Sequence, residues 1–267
     1  MHIKRWITGL SALPFLIYFI YQGGIFFTLL VSVACLFSLW EYFRIVFANP
    51  RKALTEPICL LGYFVGILMI WAAEKGTGHL AGILAGNLVI AALISLFQFK
   101  KNPGILETVK KQIVGVVYIP LLLSLLVTLR YETAGMIWIF TLLAIVFAGD
   151  ISALYFGTYL GRHKLAAAVS PGKTIEGSLG GLTANLITGS VAKYYFLPEL
   201  AWGPSLVFFV LIGIAGQTGD LFESEFKRTS NVKDSGGLLP GHGGFMDRID
   251  ALLFASPVAY FFIMYIF

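Results

Sequence analysis

Apolar residues fill most of this chain in consecutive blocks, separated by short polar breaks. A helix needs about 20 apolar residues to cross the hydrocarbon core of a bilayer. Nine blocks approach that length, at roughly 7–21, 25–43, 57–73, 79–98, 112–129, 134–156, 175–196, 204–223 and 249–267. The pattern therefore predicts an all-α, polytopic transmembrane protein of about nine spans. The first block is short, so a half-span broken at Gly23 and Gly24 is the alternative to a full crossing. Met1–Ile20, with Lys4 and Arg5 ahead of an apolar run, resembles a signal peptide. No small-x-small cleavage site follows, and a second apolar run begins at once, so a retained first span is expected.

The basic residues give the spans a direction. Alternating the nine spans places Lys4, Arg5, Arg44, Arg51, Lys52, Lys100, Lys101, Lys110, Lys111, Arg162, Lys164, Lys173, Lys227, Arg228, Lys233 and Arg248 on one side. Only Lys75, Arg130 and Lys193 fall on the other. Cytoplasmic loops carry the excess of Lys and Arg. The expected topology has the N-terminus in the cytoplasm and the C-terminus outside. Basic loops also attract anionic lipid head groups, so the net charge of +5 needs no nucleic-acid partner.

Composition agrees with a membrane setting. The chain is 58% hydrophobic and 12% charged, against about 25% charged in soluble domains. A 267-residue soluble globule could not hide that much apolar surface. The two cysteines, Cys35 and Cys59, both lie in apolar runs, which points to neither a disulfide framework nor a thiolate metal site.

Chemistry is concentrated in the second half. The five aspartates are Asp150, Asp220, Asp234, Asp247 and Asp250, and none precedes position 150. Residues 1–130 accordingly read as scaffold and 131–267 as the catalytic region of one continuous membrane domain. Asp220 and Glu223 are a helical turn apart, and so are Asp247 and Asp250 if that stretch is helical. Carboxylates at a membrane edge are costly unless paired or bound to a cation. Oxygen-only ligands suit Mg²⁺, which takes one or two carboxylates together with substrate phosphates. Between the acids, Gly236-Gly237 and Gly241-His242-Gly243-Gly244 let backbone approach a ligand closely. Lys227, Arg228, Lys233 and Arg248 have the charge to neutralise phosphate. The segment thus describes a metal–phosphate site at the cytoplasmic surface, with Asp220, Asp247, Glu223 and Asp250 as metal ligands.

A second polar stretch surrounds Asp150, which lies inside an expected span and is a functional candidate for that reason. Downstream, Ser170-Pro-Gly-Lys173-Thr174-Ile-Glu176 has the look of a helix start. Helix N-termini bind phosphate, and a pure cap would not need Lys173 beside Thr174. No Walker loop is present. Gly177 and Gly181 form a small-xxx-small pair, expected to pack one helix closely on another. His242, flanked by glycines, is a contact candidate; His2, His79 and His163 are not.

The run Ser224-x-Phe226-Lys227-Arg228-x4-Lys233-Asp234-x-Gly236, followed by Leu239-Pro240-x-His242-Gly243-Gly244-Phe245-x-Asp247-Arg248-Ile249-Asp250, resembles the signature of the phosphatidate cytidylyltransferase (CDP-diacylglycerol synthase) family. Every fixed position of the pattern is met, spacing included. The upstream Asp150 and Ser170–Gly177 also resemble the family, with one departure: Gly172 stands where a second lysine is expected, which weakens one phosphate contact. The resemblance is strong over about residues 140–267 and generic before that. It implies a reaction in which CTP and phosphatidic acid give CDP-diacylglycerol and pyrophosphate with Mg²⁺, a second cation being left open. Asp220, Asp247, Asp250, Lys227, Arg228, Lys233, Arg248 and His242 would then form the catalytic set. Ser170, Lys173, Thr174, Glu176, Asp150, Asp234, Gly243 and Gly244 would contact substrate. The expected location is a bacterial inner membrane, with the site on its cytoplasmic side among membrane lipids. A homodimer is expected from the habit of membrane proteins rather than from any residue. Two other readings compete: a CTP-dependent kinase of a polyprenol-type lipid alcohol, and a membrane transporter. No repeat relates the two halves, which argues against the transporter.

Overall fold

A computed structural model describes residues 13–230, 232, 236 and 243–267. Among these the chain is a succession of helices with one small hairpin. Helices α1 (Leu13–Gln22), α2 (Gly24–Phe47), α3 (Pro50–Thr55), α4 (Pro57–Ala72) and α5 (Leu80–Gln98) lead to α6 (Ile105–Val116) and α7 (Leu122–Tyr131). Then come α8 (Gly135–Leu160), β1 (Lys164–Ala166), β2 (Ser170–Thr174), α9 (Ile175–Phe196), α10 (Trp202–Thr229) and α11 (Asp250–Tyr265). Each of the nine expected blocks corresponds to helix where it is described, the first from Leu13 on, residues 7–12 lying outside the described residues. Among the described residues six helical stretches are long and apolar enough to cross a membrane: Gly24–Phe47, Pro57–Lys75, Thr77–Gln98, Ile105–Tyr131, Gly135–Leu160 and Trp202–Thr229. The helices Leu13–Gln22 and Asp250–Tyr265 are apolar but shorter. The 22-residue α9 is less apolar and carries Glu176 and Lys193.

The chain divides into two compact units, Met1–Tyr131 with Ser230–Arg248, and Glu132–Thr229 with Ile249–Phe267. In the first, Gly23 and Gly24 break α1 from α2 with φ of 62° and 49°, values that L-residues rarely adopt. Arg130 fixes the break: its Nε donates to Ile20 O at 2.9 Å and its Nη2 to Tyr21 O at 3.2 Å, satisfying carbonyls at the end of α1. The short α3 begins with Asn49 accepting from the backbone of Arg51 and Lys52, with Pro50 in the first turn. Gly62 and Gly66 of α4 let Phe43, Leu39 and Cys35 of α2 approach closely. Both cysteines are buried and free. α6 runs into α7 through a π-turn, Val117–Leu121, at Pro120, whose ring lacks the N–H of a regular helix. The helix begins at Ile105, ahead of the expected 112, because the charged turn Glu107–Lys111 is helical without being apolar. Buried Gln112 donates to Asn87 at 2.8 Å, joining α6 to α5.

In the second unit, α8 and α9 pack through small residues. A side chain at Gly177 would meet Ala153 O at 2.7 Å, and one at Gly181 would meet Gly149 O at 3.0 Å, so the two glycines do perform the expected close packing. Gly213, Gly216 and Gly219 recur every third residue on α10. The first faces Asn185 and Leu182 of α9, and the other two face Ala251 and Asp250 of α11. At the far end the rings of Trp138, Phe208 and Phe262 form the core, with Phe208 edge-on to Trp138 at 6.1 Å and 5.4 Å from Phe262. Lys193 lies 4.4 Å over the Trp202 ring and donates to Pro198 O at 3.2 Å.

Candidate functional site

The glycines of α10 decide where the acids go. With no side chain at Gly216 or Gly219, α11 begins directly against the last third of α10. Asp250, in the first turn of α11, is thereby set within electrostatic range of Asp220 and Asp150 and in a hydrogen bond with Glu223. Its Oδ1 also accepts from Ala251 N at 2.8 Å. Glu223 is fully buried, and its Oε2 accepts from Lys227 Nζ at 2.9 Å, one turn along α10. Glu223 and Asp250 form the buried back of the group, while Asp150 and Asp220 are more open. Asp150 projects from α8 beside Gly149 and feels both Asp220 and Lys173.

The fourth side of this group comes from the hairpin between α8 and α9. β1 and β2 pair antiparallel, with Lys164 opposite Thr174 and Ala166 opposite Ser170. Ser170-Pro-Gly-Lys-Thr is therefore a strand rather than a helix start. The cap of α9 is Thr174 alone, whose Oγ1 accepts from Gly177 N at 3.1 Å. Proline and glycine at positions 171 and 172 disfavour a helical first turn. The extended strand carries Lys173 out to Asp220, where Nζ and Oδ2 are 2.6 Å apart. Glu176 holds the other strand. Its carboxylate accepts from the backbone of Arg162 at 3.0 Å and of His163 at 3.2 Å, and it lies 2.6 Å from His163 Nδ1. Arg228, near the end of α10, donates from Nε to Val169 O in the hairpin loop at 3.0 Å.

Six candidates thus converge in the second unit: Asp150, Lys173, Asp220, Glu223, Lys227 and Asp250. Ser170, Thr174, Glu176 and Arg228 build and hold the hairpin beside them. Asp247 and Arg248 belong to the first unit. There Met246–Arg248 is a single 3-10 turn, so Asp247 and Asp250 do not share one helical face. Asp247 Oδ2 accepts from Gly244 N at 3.0 Å, and Gly243 has φ of 80°, which together close a tight turn. Lys233, Asp234 and His242 lie outside the described residues.

Among the described residues no three His, Cys, Asp or Glu side chains form a ready-made metal cage. The donors present nevertheless fit a hard cation. Asp150, Asp220 and Asp250 are three mutually repelling carboxylates with Lys173 as the cation drawn among them. An ion that keeps water and phosphate oxygens as ligands needs only one or two of them.

Sequence reasoning missed three side chains. Gln217, one turn before Asp220 on α10, accepts from Ser178 Oγ and donates to Ser178 O at 3.0 Å, locking α9 to α10 beside the acids. Buried Asn185 fills the space left by Gly149 and Gly213. Glu41 of α2 accepts from Met246 N at 2.8 Å. A polar residue in an otherwise apolar block was the available signal in each case.

Comparison with known proteins bears on the chemistry. Proteins named phosphatidate cytidylyltransferase are similar to this chain along nearly their whole length. That of Bacillus subtilis (strain 168) is 28% identical over 266 residues, spanning 97% of this chain and 96% of its own. That of Staphylococcus haemolyticus (strain JCSC1435) is 31% identical over 258 residues, spanning 95% and 96%. That of Staphylococcus saprophyticus is 30% identical over 256 residues, again spanning 95% and 96%. The model of the Cytidylyltransferase family matches residues 3–266, which takes in both units and every described site residue. The chain belongs to the cytidylyltransferase family.

Proposed function

We propose that this protein transfers CMP from CTP to phosphatidic acid, giving CDP-diacylglycerol and pyrophosphate in phospholipid biosynthesis. The observation that carries the reading is the convergence of Asp150, Asp220, Glu223 and Asp250 with Lys173 and Lys227, in a family member whose relatives are named for that reaction. The setting is a bacterial inner membrane, crossed about nine times with the N-terminus in the cytoplasm and the site on the cytoplasmic side. CTP is supplied there, and the acyl chains of phosphatidate stay in lipid while its phosphate reaches the acids.

In the reaction, an oxygen of the phosphatidate phosphate attacks the α-phosphorus of CTP. The new P–O bond forms as the bond from the α-phosphorus to the bridging oxygen breaks, and the electron pair leaves on pyrophosphate. The nucleophile is already ionised, so no strong general base is required. The obstacle is the meeting of two anions, and positioning with electrostatic stabilisation does most of the work. Lys173, mounted on β2 at the mouth of the acidic group, is placed to exchange Asp220 for a CTP phosphate. Lys227 and Arg228, with Lys233 and Arg248, supply further positive charge for the substrate phosphates. Ser170, Thr174 and Glu176 set the course of the hairpin, Gly243 offers a backbone N–H group, and Gly244 N–H holds the Asp247 carboxylate. Asp220 and Asp250, with Glu223 behind them, would hold Mg²⁺, which when bound screens phosphate oxygens and stabilises developing charge; the family resemblance adds Asp247 as a further candidate ligand.

The test is product identification with purified protein. CTP, phosphatidic acid and Mg²⁺ should yield CDP-diacylglycerol and pyrophosphate in equal amounts, and chelation of the metal should abolish both. Release of CDP without pyrophosphate would contradict the proposal.

A further inference from the structure

We infer that Glu41, in the half of the chain that has no aspartate, is a positioning residue for the turn that carries Asp247. The inference rests on the catalytic reading of Asp247 given above.

Glu41 lies on α2, a 24-residue apolar helix, and its side chain is fully buried. A carboxylate in such a helix is costly unless polar donors reach it. A donor arrives from 205 positions further along the chain: Met246 N, itself fully buried, donates to Glu41 Oε2 at 2.8 Å. The other oxygen faces Gly236, where an added side-chain carbon would meet Glu41 Cδ at 2.8 Å and Arg44 Nη2 at 3.2 Å. The backbone at Gly236 can come this close only because the residue is glycine. Phe37, one turn before Glu41 on α2, packs its ring 5.9 Å from that of Phe245. Three points of α2 therefore grip the signature segment through an apolar contact, a close backbone approach and a charge-assisted hydrogen bond.

The turn they grip is internally closed by Gly244 N to Asp247 Oδ2 and by Arg248 N to Phe245 O, both at 3.0 Å. Anchoring Met246 therefore fixes the backbone on both sides of Asp247. Glu41 touches no reacting atom in this account; it acts through the turn. The fully buried N–H of Met246 would lose its acceptor if Glu41 were truncated, and a buried unsatisfied donor strongly favours rearrangement.

The experiment measures hydrogen–deuterium exchange of the Gly243–Asp250 region in the full-length protein, alongside kcat and the Mg²⁺ concentration giving half-maximal CMP transfer. Glu41→Ala should speed exchange at Met246 about tenfold, the loss of one hydrogen bond to a buried charged acceptor. It should lower kcat and raise the Mg²⁺ requirement. Glu41→Gln keeps an acceptor oxygen of the same reach and should restore protection and most of kcat. Should Glu41→Ala fail to fold, Glu41→Asp, one methylene short of Met246, is read in its place. Unchanged exchange in these variants, or faster exchange with unchanged kcat and Mg²⁺ dependence, would overturn the inference. If the wild-type protein transferred no CMP while the exchange pattern held, the catalytic reading would fall and the anchoring of the turn would stand.

Discussion

Lys173 of β2 and Asp220 of α10 meet at 2.6 Å in an ion pair more exposed than that of Glu223 with Lys227. Glu223 and Lys227 sit behind it, buried and one helical turn apart. That contrast separates roles. Lys173 can leave Asp220 for a phosphate at small cost, because both groups retain access to water. Breaking the buried pair would strand a charge. Replacing Lys173 by Met should therefore raise the KM for CTP about tenfold, the worth of one charge-assisted contact, with a smaller effect on the KM for phosphatidate. Steady-state kinetics with each substrate varied in turn would check this. Asp220→Asn should cut turnover by at least about a hundredfold, since it removes a group placed where charge develops, with no comparable fall in thermal stability. Wild-type turnover for that variant at limiting Mg²⁺ would contradict the ligand role given to Asp220.

At the scale of elements, small residues do the placing. Gly177 and Gly181 seat α9 on α8, and Gly216 and Gly219 seat α11 on α10. At Gly177 the obstacle to a side chain is backbone, Ala153 O at 2.7 Å, which cannot swing aside. Gly177→Val should lower the melting temperature in detergent, with a destabilisation of about 1–3 kcal/mol typical of overpacking. Much of this was legible beforehand. The helices follow from the apolar blocks, the close packing from the Gly-xxx-Gly spacing, and the concentration of chemistry from the aspartates. The hairpin was not. Ser170–Thr174 carries residues that also begin helices, and its strand pairing with Lys164–Ala166 is a tertiary fact with no alternation to announce it. Glu41 was passed over for a related reason. One acid in an apolar block shows only that a partner exists, and the partner here is 205 residues away.

At the scale of the whole molecule, a scaffold of apolar helices carries a cluster of charged groups. The six long apolar helices require lipid around most of their outer surfaces. In the nine-span arrangement proposed above, 16 basic residues fall on one side and three on the other, and this split is the ground for the proposed orientation. Single cysteines introduced at Lys52, Lys101 or Arg162 in a variant lacking Cys35 and Cys59 should react with an impermeant maleimide from the cytoplasmic side only. Cysteines at Lys75 or Glu199 should react from the opposite side only. Reversal of that pattern would put the acids on the side where CTP is not supplied.

The most direct test of the central claim follows the phosphorus atoms themselves. Purified protein is given phosphatidic acid, a polyprenol-type lipid alcohol and CTP labelled separately at the α- and γ-phosphorus, with and without Mg²⁺. The α-label should enter the phosphatidate-derived lipid only when Mg²⁺ is present, while the γ-label leaves as pyrophosphate. Appearance of the γ-label in the lipid alcohol, or of neither label in any lipid with folded protein, would contradict the claim.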